Sequence, residues 1–240
     1  MSPATGRARK RRSSARAGAG SARPFLFVLI AILACVAYGG YSLFAFYRTL
    51  DSGRQELLTA QARLSSTGQG SPQSPEQALA GLRRSERDFN DARQRAREDP
   101  AFRALAAIPA GARQVDASAS LAAVGADLSR AGESAGLIAV ELDVLRRQYA
   151  GRSLTPAELP AALQEAQSTA TRYAASAKTV AEQLKAAHSE RAAVHTDGLL
   201  PPLSDAYLEL DGLLAEADRA LLRYQDVPAL LSEMLGAALP

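Results

Sequence analysis

The stretch LAAVGADLSRAGESAGLIAVELDVLRRQY, residues 121–149, decides the fold class. Its apolar residues recur in alternating steps of three and four, the heptad spacing of a helix with one apolar face. This seam comprises Leu121, Val124, Leu128, Ala131, Ala135, Ile138, Leu142, Leu145 and Tyr149. The repeat predicts a long amphipathic helix, and Gly151 supplies a residue suited to its end.

Two later stretches repeat the same spacing. The capping box Thr155-Pro156-Ala157-Glu158 predicts the start of one helix, which Asp197-Gly198 should end, and Ser204 predicts the cap of the next. Aromatic residues make up only 5% of the chain, Trp is absent and Ala is abundant, which favours helices throughout. Long helices with short connections predict an all-α chain that forms an antiparallel, coiled-coil-like bundle.

The residues before this bundle predict a single N-terminal transmembrane helix. The chain carries no charged residue from Pro24 to Tyr47. A helix of that length spans roughly 36 Å, enough for a hydrocarbon core of about 30 Å. An aromatic belt at the membrane interface is predicted from its distal residues Tyr38, Tyr41, Phe44, Phe46 and Tyr47.

A cationic tail precedes this apolar run. Its cations are Arg7, Arg9, Lys10, Arg11, Arg12, Arg16 and Arg23. Of 28 basic residues in the chain, 28 − 7 = 21 remain after the tail, against 25 acidic residues. The positive-inside rule therefore places the N-terminus in the cytoplasm and the bundle on the other side of the membrane. The tail should touch anionic lipid headgroups.

Three other interpretations of this junction compete with a membrane anchor. A cleaved signal peptide has an apolar region of about 7–15 residues, shorter than this run. A lipid attached at Cys35 would leave further apolar residues behind it. A tail that binds nucleic acid stays open, because clustered cations bind phosphates in any sequence. However, a folded nucleic-acid-binding domain should carry the basic surface itself.

The predicted organisation has five parts. They are a basic disordered tail (1–23), a transmembrane signal anchor (24–47), a juxtamembrane helix extension (48–64), a Gly/Ser/Pro linker (65–75) and an Ala-rich helical bundle (76–240). Small residues at Ala31, Cys35 and Gly39 have the spacing that lets two membrane helices approach closely. They predict a transmembrane face through which a homodimer could form.

The chain offers no residue pattern that predicts catalysis, a metal or a cofactor. His188 and His195 are predicted on one helix face, about 10 Å apart along the axis, too far to share a metal ion. No strand or helix start frames Gly18 and Gly20, so they are not predicted to form a phosphate-binding loop. The acidic residues Asp205, Glu209, Asp211, Glu216 and Asp218 are predicted to form a solvated helix face. We therefore expect no enzymatic activity.

The stretch PAFRALAAIPAGARQVDASASLAAVGADLSRAGESAG, residues 100–136, resembles the helical ectodomain of a bacterial single-pass membrane family. This family is domain of unknown function four-zero-one-two. Its members share a basic tail, one membrane helix, a proline-glycine turn and a long Ala-rich helix. They also have a leucine-rich helix that ends in a Leu-Gly pair, like Leu235-Gly236 here. A larger domain follows that pair in the family, so the chain resembles a shortened member. The resemblance implies that the chain lies in the inner membrane of a bacterium and has a role in the cell envelope.

These observations predict a membrane-anchored extracytoplasmic scaffold that binds an envelope protein through apolar helix faces. Two alternatives remain. The ectodomain could be a sensor that binds a small ligand between its helices, or the basic tail could tether nucleic acid to the membrane.

Overall fold

Helices account for all the regular structure in the residues that the computed structural model describes, which are 22–66, 75–149 and 158–224. The helices are α1 (Ala22–Ser66), α2 (Pro75–Glu98), α3 (Pro100–Ala106), α4 (Pro109–Tyr149), α5 (Leu159–Ala192) and α6 (Pro201–Tyr224). The prediction of an all-α chain is therefore confirmed. The predicted Gly151 end and the Thr155–Ala157 part of the capping box lie outside the described residues.

The chain divides into two units, Met1–Gly40 and Tyr41–Pro240. The described part of the first unit is the beginning of α1, in which Leu33 and Tyr38 are exposed. The second unit contains the remaining helices and both apolar clusters of the core. The predicted helical bundle is confirmed in this second unit, and it includes the part of α1 that follows Gly40.

The segment predicted to cross a membrane, residues 24–47, lies within α1. The side chains of residues 22–32, 35 and 36 are outside the described part of the structure. Over the part that is described, no helix is both long enough and apolar enough to span a membrane.

Side-chain pairs between neighbouring helices establish the topology of the bundle. Two pairs in each of four sets of neighbouring helices are sufficient for this. They are Ser52–Asp88 and Glu56–Arg84 between α1 and α2, Glu86–Arg130 and Arg83–Glu133 between α2 and α4, Ser120–Glu190 and Ser134–Gln183 between α4 and α5, and Arg191–Asp211 and His188–Asp218 between α5 and α6. Within each set the residue number rises on one helix as it falls on the other. The bundle is therefore antiparallel, with α1, α4 and α6 running one way and α2 and α5 the other.

Helix α4 occupies the centre of the bundle. It contacts α2, α3, α5 and α6, and every residue from Leu121 to Ala126 is buried. A helix surrounded on all sides needs small or apolar residues around its whole circumference, and Ala, Gly and Ser supply most of them here. The seam predicted from Leu121 to Ala131 is buried as expected, whereas Ala135 and Ile138 are partly exposed.

Helix α2 packs against α4 through a seam that sequence reading found only in part. In the sequence of α2, the large apolar residues Leu79, Leu82 and Phe89 mark only a thin stripe. The structure also buries Ala78, Ser85, Ala92 and Ala96. Together with Leu82 and Phe89 these residues step 4-3-4-3-4 along α2, which is a regular heptad seam. Ser85 is tolerated there because its hydroxyl donates to the Gly53 carbonyl (2.7 Å) and pairs with Ser129 (2.8 Å).

Three local predictions were wrong. Helix α5 ends at Ala192 instead of Asp197, and His195 therefore lies beyond the helix that was expected to carry both histidines. Helix α6 begins at Pro201, so Ser204 lies in its first turn, where its amide bonds to the Leu200 carbonyl instead of capping the helix. Phe46 is only 5% exposed and stacks against Phe102, with ring centroids 5.0 Å apart, so it does not belong to an exposed aromatic belt.

Candidate functional site

An apolar groove of about 510 Å³ opens in the second unit, where five helices meet. It is lined by Leu57 and Gln61 of α1, Leu82 of α2, Leu128, Ala131, Gly132, Ala135, Gly136, Ile138 and Ala139 of α4, Tyr173, Ala177, Val180 and Leu184 of α5, and Leu213, Glu216, Ala217, Arg219, Ala220 and Leu221 of α6. Most of these side chains are aliphatic, and they include members of the predicted seams of α4, α5 and α6.

The floor of the groove is made of small residues. Ala131, Ala135 and Ala139 follow one another at steps of four on α4, and Gly132 and Gly136 form a second such row beside them. The side chain of Leu82 lies close to this floor, because a Cβ placed on Gly132 would be 3.1 Å from it. Small residues on α4 let a bound group approach the helix backbone closely along these rows.

Polar side chains stand at the rim of the groove. Gln61 of α1 donates to a Glu216 carboxylate oxygen of α6, with 2.6 Å between Nε2 and Oε2. Arg219 is exposed, and its Nε donates to the carbonyl of Ala215 in the same helix. The wall residue Tyr173 is almost fully buried. The groove therefore combines an apolar interior with polar groups at its margin, the usual composition of a binding cleft.

Helix α6 forms one wall and is held by carboxylates on two of its sides. Glu209 pairs with Arg54 of α1 (2.6 Å), and Glu216 lies seven residues later on the same side. On the other side, Asp211 pairs with Arg191 of α5 (2.6 Å), and Asp218 contacts His188 (2.9 Å). Asp205 and Glu216 are exposed and the other three acidic residues are partly exposed. Four of the five, all but Asp205, also pair with side chains of α1 or α5.

Arg191 of α5 lies where α5 packs against α6, and its charge has partners on α6. Arg191 places its guanidinium carbon 5.3 Å from the centre of the Tyr207 ring, a distance at which cation and ring attract. The same guanidinium pairs with Asp211. Its Nε is buried without a hydrogen-bond partner, which shows how closely α5 and α6 pack at this point.

A second charged cluster joins α2, α4 and α5 on the outside of the core. Arg130 donates to Glu86 (2.8 Å) and to Asp127 (2.9 Å), while Arg93 pairs with Glu190 (3.1 Å). Burial raises the pKa of Asp127, and Arg130 opposes this by favouring the ionised carboxyl. The hydrogen bond to Glu86 raises the pKa of Arg130. These charged side chains therefore serve as contacts between the helices.

The residues predicted to mediate membrane topology lie largely outside the described structure. Arg7, Arg9, Lys10, Arg11, Arg12 and Arg16 are not described, and Arg23 lies in the first turn of α1 without a described side chain. Ala31, Cys35 and Gly39 all lie on α1. Of these three, Gly39 is described further, and a Cβ placed there would meet no described atom within 4 Å.

The two histidines lie in separate surroundings. His188 contacts Asp218, whereas His195 Nδ1 lies 3.2 Å from the carbonyl oxygen of Ala193. Among the described residues, no group of three or more His, Cys, Asp or Glu side chains is arranged to hold a metal ion.

Comparison with known proteins adds no relative. The chain matches no protein-family model, no curated protein and no solved structure. The resemblance to domain of unknown function four-zero-one-two therefore stays a prediction from the residues alone.

Proposed function

We propose that this protein is a membrane-anchored scaffold that holds an apolar helix of a partner protein in the groove. The observation that carries the proposal is the convergence of three seams, those of α4, α5 and α6, on one open groove. In a closed bundle these seams would be covered by one another. Here Ala135 and Ile138 remain partly exposed, so a further helix can complete the packing.

The dimensions of the floor favour a helix as the occupant. The floor runs along α4 from Leu128 to Ala139, which corresponds to roughly 16 Å at 1.5 Å per residue. That length matches about three turns of a docked helix. Recognition of an amphipathic helix in a hydrophobic groove uses anchors at heptad-like spacing, and the walls here carry residues at that same spacing.

The sequence supports the anchoring part of the proposal. The run from Pro24 to Tyr47 has no charge, and the cations of the tail precede it directly. In the proposed arrangement the tail lies in the cytoplasm of a bacterium and the bundle lies in the envelope. The scaffold performs no catalysis, and the small residues Ala31, Cys35 and Gly39 would support a homodimer within the membrane.

A photoreactive amino acid at Arg219 tests the groove in living cells. Arg219 lines the groove and is exposed. We expect a discrete adduct with a second polypeptide, and we expect Ala135→Phe to remove it, because the added ring fills the floor. The matched control places the same probe at Leu208, which is exposed on α6 outside the groove. The proposal is wrong if the adduct persists in the filled variant or forms equally from Leu208.

A second candidate function, a sensor of a small apolar ligand, is favoured by the volume of the groove. About 510 Å³ falls within the range of roughly 300–1,000 Å³ typical of ligand sites. In that case a ligand would raise the melting temperature of the natural chain and leave that of Ala135→Phe unchanged. No polypeptide adduct would then form from Arg219.

A further inference from the structure

One end of the second unit exposes large apolar side chains from three separate parts of the chain. These are Tyr41, Phe44 and Tyr47 of α1, Ile108 of the α3–α4 turn, and Leu200 of the α5–α6 loop. We name this set the end face. Single exposed apolar residues are ordinary on protein surfaces. It is unusual, however, that two separate connections between helices each expose an aliphatic residue at the tip, since such connections lie on the surface in water.

Contacts within the bundle bring these three parts to the same end of the unit. Arg54 of α1 pairs with Glu209 of the parallel helix α6, so Leu200 lies level with Ala45, the residue equally far before Arg54. The Phe89 ring lies against both Gly53 of α1 and Gly125 of α4. Because α4 also runs parallel to α1, Ile108 lies roughly 7 Å further toward this end than Tyr41, at 1.5 Å per residue.

The α5–α6 loop is held in place with Leu200 directed outward. Gln114 of α4 donates from Nε2 to the carbonyl of Gly198 (2.7 Å) and accepts from the amide of Leu200 at Oε1 (3.0 Å). Gly198 has φ +75°, a left-handed conformation that glycine adopts without strain. Leu200 nevertheless remains 57% exposed and Ile108 58% exposed. The exposure is therefore a property of a fixed loop.

We propose that the end face inserts into the headgroup region of a phospholipid membrane. The proposal rests on the membrane anchoring proposed above, because the uncharged run that is predicted to cross the membrane ends at Tyr47, a residue of the end face. Tyr and Phe rings favour the boundary between hydrocarbon and water. On the side of α1 away from these rings, Ser42 and Phe46 are buried against α3, so the rings point away from the core.

The charges near the end face indicate which lipid it contacts. The exposed cations there are Arg48, Arg95, Arg97, Arg103 and Arg113, and the exposed anions are Glu98, Asp116 and Asp197. Because the cations exceed the anions by only two, we expect apolar contact to drive the insertion and neutral lipid to be sufficient for it. This separates the end face from the cationic tail, whose lipid contact depends on anionic lipid and falls with salt.

The test uses the full chain with Cys35→Ser, reconstituted in phosphatidylcholine vesicles. Ile108→Cys and Leu200→Cys carry a polarity-sensitive fluorophore, and Leu222→Cys is the matched control. Leu222 is 66% exposed and lies near the opposite end of α6 from Leu200. We expect a blue shift and severalfold stronger quenching by brominated lipid at positions 108 and 200 than at 222. Adding Ile108→Asp should reduce the quenching at position 200, and Leu208→Asp should not.

Each outcome separates the insertion from the anchoring. If the chain floats with the vesicles but the probes at 108 and 200 report water, the insertion is wrong and the anchoring stands. If the probes are blue-shifted without quenching by brominated lipid, protein covers the end face instead of lipid, and the insertion is again wrong. If the chain does not float with the vesicles, the anchoring fails and the insertion fails with it.

Discussion

Gly125 permits the closest contact between α2 and α4. A Cβ at this position would lie 2.6 Å from three carbons of the Phe89 ring, and Phe89 is almost fully buried. On the opposite side, Gly53 of α1 would bring a Cβ to 3.3 Å from the same ring. Two glycines on different helices thus accommodate one phenylalanine. The sequence contains both glycines inside predicted helices, but their shared neighbour depends on tertiary packing.

We expect Gly125→Ala to destabilise the bundle. Overpacking a core costs about 1–3 kcal/mol, which exceeds the gain of about 1 kcal/mol from replacing Gly by Ala within a helix. Thermal or denaturant unfolding of the full chain measures the balance. Gly212→Ala is the matched control, since a Cβ there meets nothing within 4 Å and should stabilise α6. Phe89→Leu combined with Gly125→Ala should recover part of the loss, and a neutral Gly125→Ala would contradict the contact.

At the scale of elements, long apolar periods were predictable and small-residue seams were not. The heptad seams of α4, α5 and α6 are visible in the sequence, because large apolar residues such as Leu, Val and Tyr mark them. The seam of α2 uses Ala78, Ser85, Ala92 and Ala96, residues that also occur on solvated faces. Their burial depends on partners in α1 and α4, such as the Gly53 carbonyl that accepts from Ser85. No local pattern specifies such a partner.

The attachment of α6 through its carboxylates leads to a prediction about that helix. The hydrogen bond from Arg54 to Glu209 raises the pKa of Arg54, and both side chains remain partly exposed. A double-mutant cycle with Arg54→Gln and Glu209→Gln should therefore give a coupling of only about 0.2–1 kcal/mol. The coupling should decrease as salt rises, because exposed charges are screened. Unfolding of the full chain in low and high salt measures it.

The control for this cycle is Asp205→Asn with Arg54→Gln. Asp205 is exposed on α6, and we expect no coupling between it and Arg54. A coupling between Arg54 and Glu209 that is absent even at low salt would contradict the prediction and mean that this pair does not help to hold α6 against α1.

At the scale of the whole molecule, two surfaces serve different proposed contacts. The groove lies among the halves of the helices that contain Leu57, Ile138 and Leu221, whereas the end face surrounds Tyr41, Ile108 and Leu200. If the end face lies on the membrane, the groove is held away from it by part of the length of the bundle. The site was not predictable from the sequence, because its walls belong to five helices whose seams could equally have covered one another.

The topology of the whole chain gives the last prediction. In spheroplasts, we expect external protease to remove a tag placed after Pro240 and to leave the tail that contains Arg7–Arg16 intact, because clustered cations stay in the cytoplasm. Replacing Arg7, Arg9, Lys10, Arg11 and Arg12 by Gln should protect the tag in a fraction of the molecules, since the charge bias that sets orientation is then smaller. Replacing five exposed cations of the bundle, Arg87, Arg95, Arg97, Lys178 and Lys185, by Gln controls for total charge and should leave the orientation unchanged. A tag of the natural chain that survives until the membrane is lysed would put the bundle in the cytoplasm, and partners of the groove would then be cytosolic.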